Sequence, residues 1–328
     1  MFILGIGAAF PEHLLSGHDL NELGLSLRGE QHRFADRVGV SSRRVSLPLE
    51  YIKASGNIEV LEAWKVATDS PTSLGLEACK KALSQAGIGI DAVGLLLADT
   101  ASPRQTCPSE AQRIAGEFGI KIPAYDVVGG ISTIPHYLSM LSAWREERIP
   151  EYVLCVSTNT PSQHVRYKDD ALGATLFGDA AVAIVVSKQR SSRVPVLHAH
   201  LEHERLERSP LIVERAIICA PDSVPETEEL ARFLTAEWRS ITQRYPQVSA
   251  RSRIIPPQLF AAESVEILRD LGVSAERIHS GVRDNGFSMG SAYGVALAQS
   301  FEARGRDEVC VIMHCGDGMR GSVLMGSD

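Results

Sequence analysis

The side chains best able to do chemistry in this sequence sit in three places. They are Ser132 within Gly129-Gly130-Ile131-Ser132, the adjacent pair His314-Cys315, and the arginines Arg33, Arg37 and Arg43. A serine at a helix start attacks a carbonyl only when a base takes its proton. His136, one helical turn further on, is the nearest imidazole in sequence. The competing reading is structural: Ser132 caps a backbone amide, and His136 is a core histidine bonded to a carbonyl. Ile131 has no lone pair to attack with and no proton to lose. In His314-Cys315 a thiol beside an imidazole could be activated, although the nearby Asp317 would raise its pKa. The alternative is that both side chains fill space. Guanidinium groups hold phosphate well; the alternative for the arginines is a surface cluster with Glu30 and Asp36.

The whole chain limits which of these chemistries are plausible. At 328 residues, 44% hydrophobic and 22% charged, it is an ordinary globular sequence long enough for one large or two fused domains. The net charge of -7 is scattered, with no block of Lys or Arg, which argues against nucleic acid or an anionic membrane as partner. Met1-Phe2-Ile3-Leu4-Gly5-Ile6-Gly7 is apolar but lacks a basic start and a cleavage site, so it is read as a buried first strand. No stretch approaches membrane-span length. Cys79, Cys107, Cys155, Cys219, Cys310 and Cys315 show no CxxC pairing. Reduced thiols in a cytoplasmic protein are expected, without a disulfide framework or a bound metal.

The elements that must position these groups alternate. Val93–Ala98, Tyr152–Val156 and Ala180–Val186 are short continuous apolar runs, as for strands buried on both faces. Ser73–Ala86 and Ser109–Phe118 carry helical periodicity, the second stopped by Gly119. The fold class is α/β. Periodicity stops near Ser187–Arg193, which suggests two halves, 1–188 and 189–328. In the second half, strand Ile254-Ile255 precedes a helix with Val265, Ile267, Leu268 and Leu271, and strand Val309–Met313 enters a turn at Gly316-Asp317-Gly318. The stretch Leu201–Ser252 is charged and partly helical, and is read as a cap over a substrate entrance.

Seven landmarks occur together in order: Gly5-Ile6-Gly7 with Phe10-Pro11-Glu12; Arg37-Val38-Gly39-Val40 followed by Arg43; Cys107-Pro108-Ser109; Pro123-Ala124-Tyr125-Asp126-Val127; Phe177-Gly178-Asp179-Ala180-Ala181; Gly316-Asp317-Gly318; and Gly321-Ser322. Across essentially the whole chain they resemble the thiolase superfamily, specifically the ketoacyl-ACP synthase III family. The resemblance implies a five-layer αβαβα fold of two pseudo-repeated halves, a dimer built across the central sheets, and a tunnel for pantetheine-linked acyl groups. It also implies a Cys-His-Asn triad, the cysteine at a helix N-terminus that favours the thiolate and an oxyanion. The cysteine position falls on Ile131, the histidine on Pro257 and the asparagine on Gly286, or on Asn285 with a one-residue shift. By the same resemblance, Arg37 lies near the nucleotide end of coenzyme A, Arg33 replaces the aromatic that stacks on adenine, and Cys107 shapes the partner's tunnel across the dimer interface.

The expectation is therefore a cytoplasmic protein handling acyl-CoA or acyl-ACP thioesters in fatty-acid or polyketide-type biosynthesis. It would be a silent or non-standard member of a homodimer or of a heterodimer with a catalytic homologue. Coenzyme A or phosphopantetheine would be a substrate carrier, with no tightly bound cofactor. The alternative is a stand-alone acyltransferase or thioester hydrolase using Ser132, or Cys315, with a relocated base.

Overall fold

Side chains alternate across a strand, and in this chain the alternate sets go to different helical layers. The computed structural model describes residues 1–192, 194–203, 212–214, 217–219, 227–246, 248, 252–302, 309–316 and 318–326. Its strands are β1 (Phe2–Ala9), β2 (His13–Ser16), β3 (Ser42–Val45), β4 (Leu95–Asp99), β5 (Ala124–Asp126), β6 (Val153–Asn159), β7 (Ala180–Ser187), β8 (Val196–His203), β9 (Ile212–Glu214), β10 (Ile217–Cys219), β11 (Arg253–Ile255), β12 (Cys310–Gly316) and β13 (Met319–Met325). The longer helices are α1 (Glu30–Val38), α2 (Pro71–Ala86), α3 (Glu110–Phe118), α4 (Thr133–Ala143), α5 (Thr227–Arg244), α6 (Ala261–Asp270) and α7 (Ala292–Glu302).

Of the two larger sheets, the first has the order β1-β7-β6-β4-β5 and the second β11-β12-β13-β8, while β2 pairs with β3 and β9 with β10 in two-stranded sheets. In the first, β4 pairs parallel with β5 and β6 while β7 runs antiparallel to β1 and β6; in the second only β11–β12 is parallel. Leu96, Ala98, Leu154, Val156, Ala181 and Ala183 face outward onto α2 and α3. Their alternates Leu95, Leu97, Val153, Cys155, Val182 and Ile184 face inward onto Ile134, Tyr137 and Leu138 of α4 and Val295, Ala296 and Leu297 of α7. Ile255, Ile312 and Val323 of the second sheet close that middle layer from the other side. Ile254, Val311 and Leu324 pack outward with Leu234 and Trp238 of α5 and Leu268 of α6. The five layers are thus written in strand parity.

The glycine pair of β1 is required by this packing. A Cβ at Gly5 or Gly7 would lie 2.2 or 2.4 Å from the carbonyl oxygens of Ala82 and Ala78, so glycine lets β1 approach α2 directly. Helix α2 starts at Pro71, earlier than periodicity suggested, because Ser70 and Ser73 form a reciprocal capping box that polar residues hide from a hydrophobic count. Helix α3 matches expectation: Ser109 caps it and a left-handed Gly119 ends it. In the described part of Leu201–Ser252, α5 is an outer-layer helix that buries Leu230, Leu234, Trp238 and Ile241 and whose Phe233 and Glu237 line a cavity. Strand β12 runs three residues beyond Met313 to Gly316, so His314 and Cys315 are strand residues, not turn residues. No helix among the described residues is long and apolar enough to cross a membrane.

Candidate active site

The turn between β5 and α4 is framed by carboxyl groups at strand ends, Asp126 exposed and Asp99 buried. Asp126 closes the neighbouring helix, accepting from the amides of Glu110 (3.0 Å) and Ala111 (2.8 Å) at the start of α3. Asp99, ending β4, accepts from the Gly129 amide (3.3 Å) and from Ser157 Oγ (3.1 Å), with a further bond from the Thr133 side chain. Burial pushes its carboxyl up to about 7, opposed by these donors. Gly130 takes the left-handed conformation (φ 58°) and leads into a 3-10 turn over Gly130–Ser132. A second turn, Met289–Ser291, locks against it: a Cβ on Gly290 would lie 2.6 Å from the Gly130 carbonyl and 2.7 Å from Asp99 Oδ2.

Ile131 is 2% exposed and part of the hydrophobic core. Its Cδ1 lies against Gly316, where a Cβ would come within 2.6 Å of it. Ser132 is 1% exposed, and its Oγ donates to the Gly129 carbonyl at 2.6 Å. It neither caps an amide nor meets a base, which corrects both readings of this residue. His136 is half-buried, with its pKa lowered by burial, and among the described residues no partner reaches its ring nitrogens. The expected carbonyl bond is therefore not made.

The His314-Cys315 pair separates because neighbours on a strand point to opposite faces. His314 turns inward. Gly316 O can only accept, so Nε2 donates to it at 3.1 Å and Nδ1 must accept from the Tyr293 hydroxyl at 2.8 Å. Burial pushes this imidazole down to about 4. With both nitrogens committed, His314 is a neutral structural group and not a base. Cys315 turns outward, opposite Arg320, which faces Glu202 on the next strand. These three line a cavity of about 490 Å³ with His200, Phe233 and Glu237. Asp317 lies outside the described residues.

A second buried carboxylate stands at Asp179. It accepts from the amide and hydroxyl of Ser46 (2.8 and 2.5 Å) and of Ser162 (2.9 and 2.6 Å). Burial pushes it up to about 6 against the pull of those donors.

The 3-oxoacyl-[acyl-carrier-protein] synthase III family pattern matches residues 125–204. The β-ketoacyl-[acyl-carrier-protein] synthase III of Sodalis glossinidius is 26% identical over 201 residues, 61% of this chain and 56% of the relative. That of Coxiella burnetii is 21% identical over 314 residues, 92% and 90% of the two chains. The chain spans little more than half the length of some curated relatives it matches. Among solved structures, the Pseudomonas aeruginosa synthase III superposes with a TM-score of 0.77 at 21% identity, covering 99% of this chain and 98% of that one. A Xanthomonas campestris OleA carrying lauric acid and lauroyl-CoA superposes with a TM-score of 0.77 at 15% identity over 99% and 98%. The chain is thus similar in sequence to the ketoacyl-ACP synthase III proteins and shares the thiolase fold of the solved synthases.

As a synthase-III-like chain it carries Ile131, Pro257 and Gly286 where the family resemblance expects Cys, His and Asn. Pro257 opens a 3-10 turn whose next residue, Gln258, is buried, accepting from the Gly281 amide at 3.0 Å and donating to Pro256 O at 2.8 Å. Asn285 donates to Gly281 O at 3.0 Å, and its own carbonyl accepts from the Arg44 amide at 3.1 Å. Gly286 is left-handed (φ 80°), with Gly178 N and Arg43 Cβ within 2.7 Å of where a Cβ would be. These groups hold loops together.

The three arginines do not share a site. Arg33 pairs with Glu30 at 2.8 Å on the surface, Arg37 pairs with Glu263 at 2.5 Å and lies over the Phe260 ring, and Arg43 is buried. Cys107 is exposed. Sequence reading missed Asp99, Asn159, Ser291 and Gly290. The available signal was polar residues ending apolar strands: Asp99 after Leu-Leu-Leu-Ala, and Asn159 after Val-Leu-Cys-Val-Ser-Thr. Asn159 Nδ2 donates to Ser157 Oγ (3.2 Å) and Ser291 Oγ (3.0 Å), joining the end of β6 to the Gly290 turn.

Proposed function

We propose that this protein serves an acyl-thioester condensing system of fatty-acid or polyketide-type biosynthesis in the cytoplasm without itself carrying the acyl group at the family's nucleophile position. The observation that carries this reading is Ile131, packed against Gly316 where a thiolate would stand, between a serine bonded to a carbonyl and a histidine with both nitrogens occupied. An aliphatic group preserves core density there but supplies neither nucleophile nor proton transfer, and the latter alone contributes roughly 10²–10⁴-fold in rate. Coenzyme A or a carrier-protein phosphopantetheine would deliver the thioester.

Pairing with a second subunit is supported by the edge of the first sheet. Strand β5 is three residues long and lies at that edge, carrying Tyr125 (58% exposed) and followed by Val128 (67% exposed). An edge strand beside exposed apolar side chains is a surface that pairing would cover. Cys107 would then shape the neighbour's tunnel, and the partner is a second copy or a homologue with the complete triad.

The test is condensation of acyl-CoA with malonyl-ACP by the chain alone, by Ile131→Cys, and by the chain mixed with such a homologue. No turnover by either single protein, with altered product length in the mixture, is expected; turnover by the chain alone would overturn the proposal. A second reading, acyl transfer through Cys315, is favoured only by its place in the cavity wall. The Ser132 alternative gains no support from a buried hydroxyl already bonded to Gly129.

A further inference from the structure

Opposite charges three residues apart on the helices of this chain close on each other, Glu30 on Arg33 at 2.8 Å and Glu62 on Lys65 at 2.7 Å. Glu229 and Arg232 of α5 have the same spacing, yet among the described residues neither forms an ion pair. Both line the cavity of about 490 Å³ between α5 and the strands β8, β12 and β13. Glu229, Phe233 and Glu237 form one i,i+4 row of α5, with Arg232 beside it, so an aromatic ring stands between two carboxylates and next to a guanidinium.

On the strand side of the cavity the charges are already matched. Glu202 meets Arg320 at 2.8 Å and His200 at 3.8 Å. Glu237 is held in place from below, because the Ser322 hydroxyl of β13 donates to its Oε1. Its other oxygen is left to a ligand. Cys315 adds a soft, weakly polar wall next to Gly316.

Walls that hold opposite charges apart around a ring suit a ligand that carries both charges itself. A carboxylate fits the guanidinium fork bidentately, an ammonium pairs with a carboxylate, and an apolar body covers the ring. A lone anion would face Glu229 and Glu237, and a lone cation would face Arg232, so each meets a like charge. The volume lies in the range of small-molecule sites and leaves room for a side chain.

We propose that this cavity binds a free α-amino acid with an apolar side chain, its carboxylate on Arg232 and its ammonium on Glu237. The inference goes beyond the acyl-thioester reading and does not depend on it. Binding here involves no covalent step.

The experiment is titration calorimetry of the full chain with L-leucine and with its two singly charged relatives, 3-methylbutylamine and 4-methylpentanoate. Wild type, Arg232→Gln and Glu237→Gln are compared; the glutamine at 237 keeps an acceptor for Ser322. Wild type is expected to bind leucine at least about 10-fold more tightly than either relative, as for one charged hydrogen-bonded pair lost in each. Arg232→Gln should bring leucine down to the affinity of the amine, and Glu237→Gln down to that of the carboxylate. Equal binding of leucine and one relative by wild type, a comparison needing no variant, would show that a single charge is read and overturn the inference. Absence of leucine binding, or leucine binding unchanged in both variants, would overturn it as well. None of these results touches the proposed function, since no thioester is present.

Discussion

Asp179 and Ile131 occupy matching places, each at the entry to a core element, and they have fared differently. Asp179 sits in the Phe177-Gly178-Asp179 landmark and gathers four donors from Ser46 and Ser162. Ile131 sits where the family resemblance expects a nucleophile and gathers only packing contacts such as Gly316. The contrast teaches what a persistent motif reports. Replacing Asp179 would orphan buried donors, so the fold itself demands it. Replacing a small thiol by isoleucine asks only for room, and the glycine at 316 provides it. The Phe177-Gly178-Asp179 landmark therefore carries information about architecture more than about chemistry.

The sharpest way to break this comparison is Asp179→Leu. It leaves the Ser46 and Ser162 amides and hydroxyls without an acceptor, and should lower unfolding stability by about 3–5 kcal/mol, as when one member of a buried charged network is removed. A urea midpoint near that of wild type would show that the node is dispensable. Next in size, Ile131→Ala should cost about 2–5 kcal/mol through the cavity it opens, whereas Ile131→Cys should cost less and still give no condensation product by chromatography. Product from Ile131→Cys would mean that chemistry at the turn had been lost by one residue alone.

A smaller effect comes from His314. Its folded pKa of about 4 lies below the ordinary 6.5, so the unfolded chain binds the extra proton in that window and stability falls as pH drops from about 6.5 to about 4. Asp99 and Asp179 act in the opposite sense, because their raised pKa values make the folded state take up protons first. The His314 contribution is isolated by comparison with His314→Phe: the stability gap between wild type and variant should shrink over that interval, and a gap constant with pH would contradict the assignment. Smallest of all, Ser132→Ala should change stability by about 1 kcal/mol or less and leave any acyl-thioester binding intact.

Much of the frame was legible because it is local. Strand parity in Val153–Asn159 and Ala180–Ser187, the Ser109 cap and the Gly119 stop all follow from neighbouring residues. The site was less legible because its facts are long-range. That His314 and Cys315 face apart depends on β12 continuing past the expected turn, which its pairing with β13 enforces through Gly316↔Met319. That Arg43 faces inward is half-visible in Ser-Arg-Arg-Val, where alternation puts Arg43 with Val45, but only β2 and Leu15 decide that this face is buried. Ser132 looked like a cap because serines at helix starts commonly are; the glycines before it let the chain turn so that its hydroxyl meets a carbonyl instead.

The central claim, that the turn at Ile131 carries no acyl group, is tested most directly by intact-protein mass spectrometry after incubation with short and medium acyl-CoAs, on wild type, Ser132→Ala and Cys315→Ala. The account predicts no covalent adduct on any of the three. An acyl adduct on wild type that disappears in Ser132→Ala or in Cys315→Ala would contradict it and name the residue that had taken over.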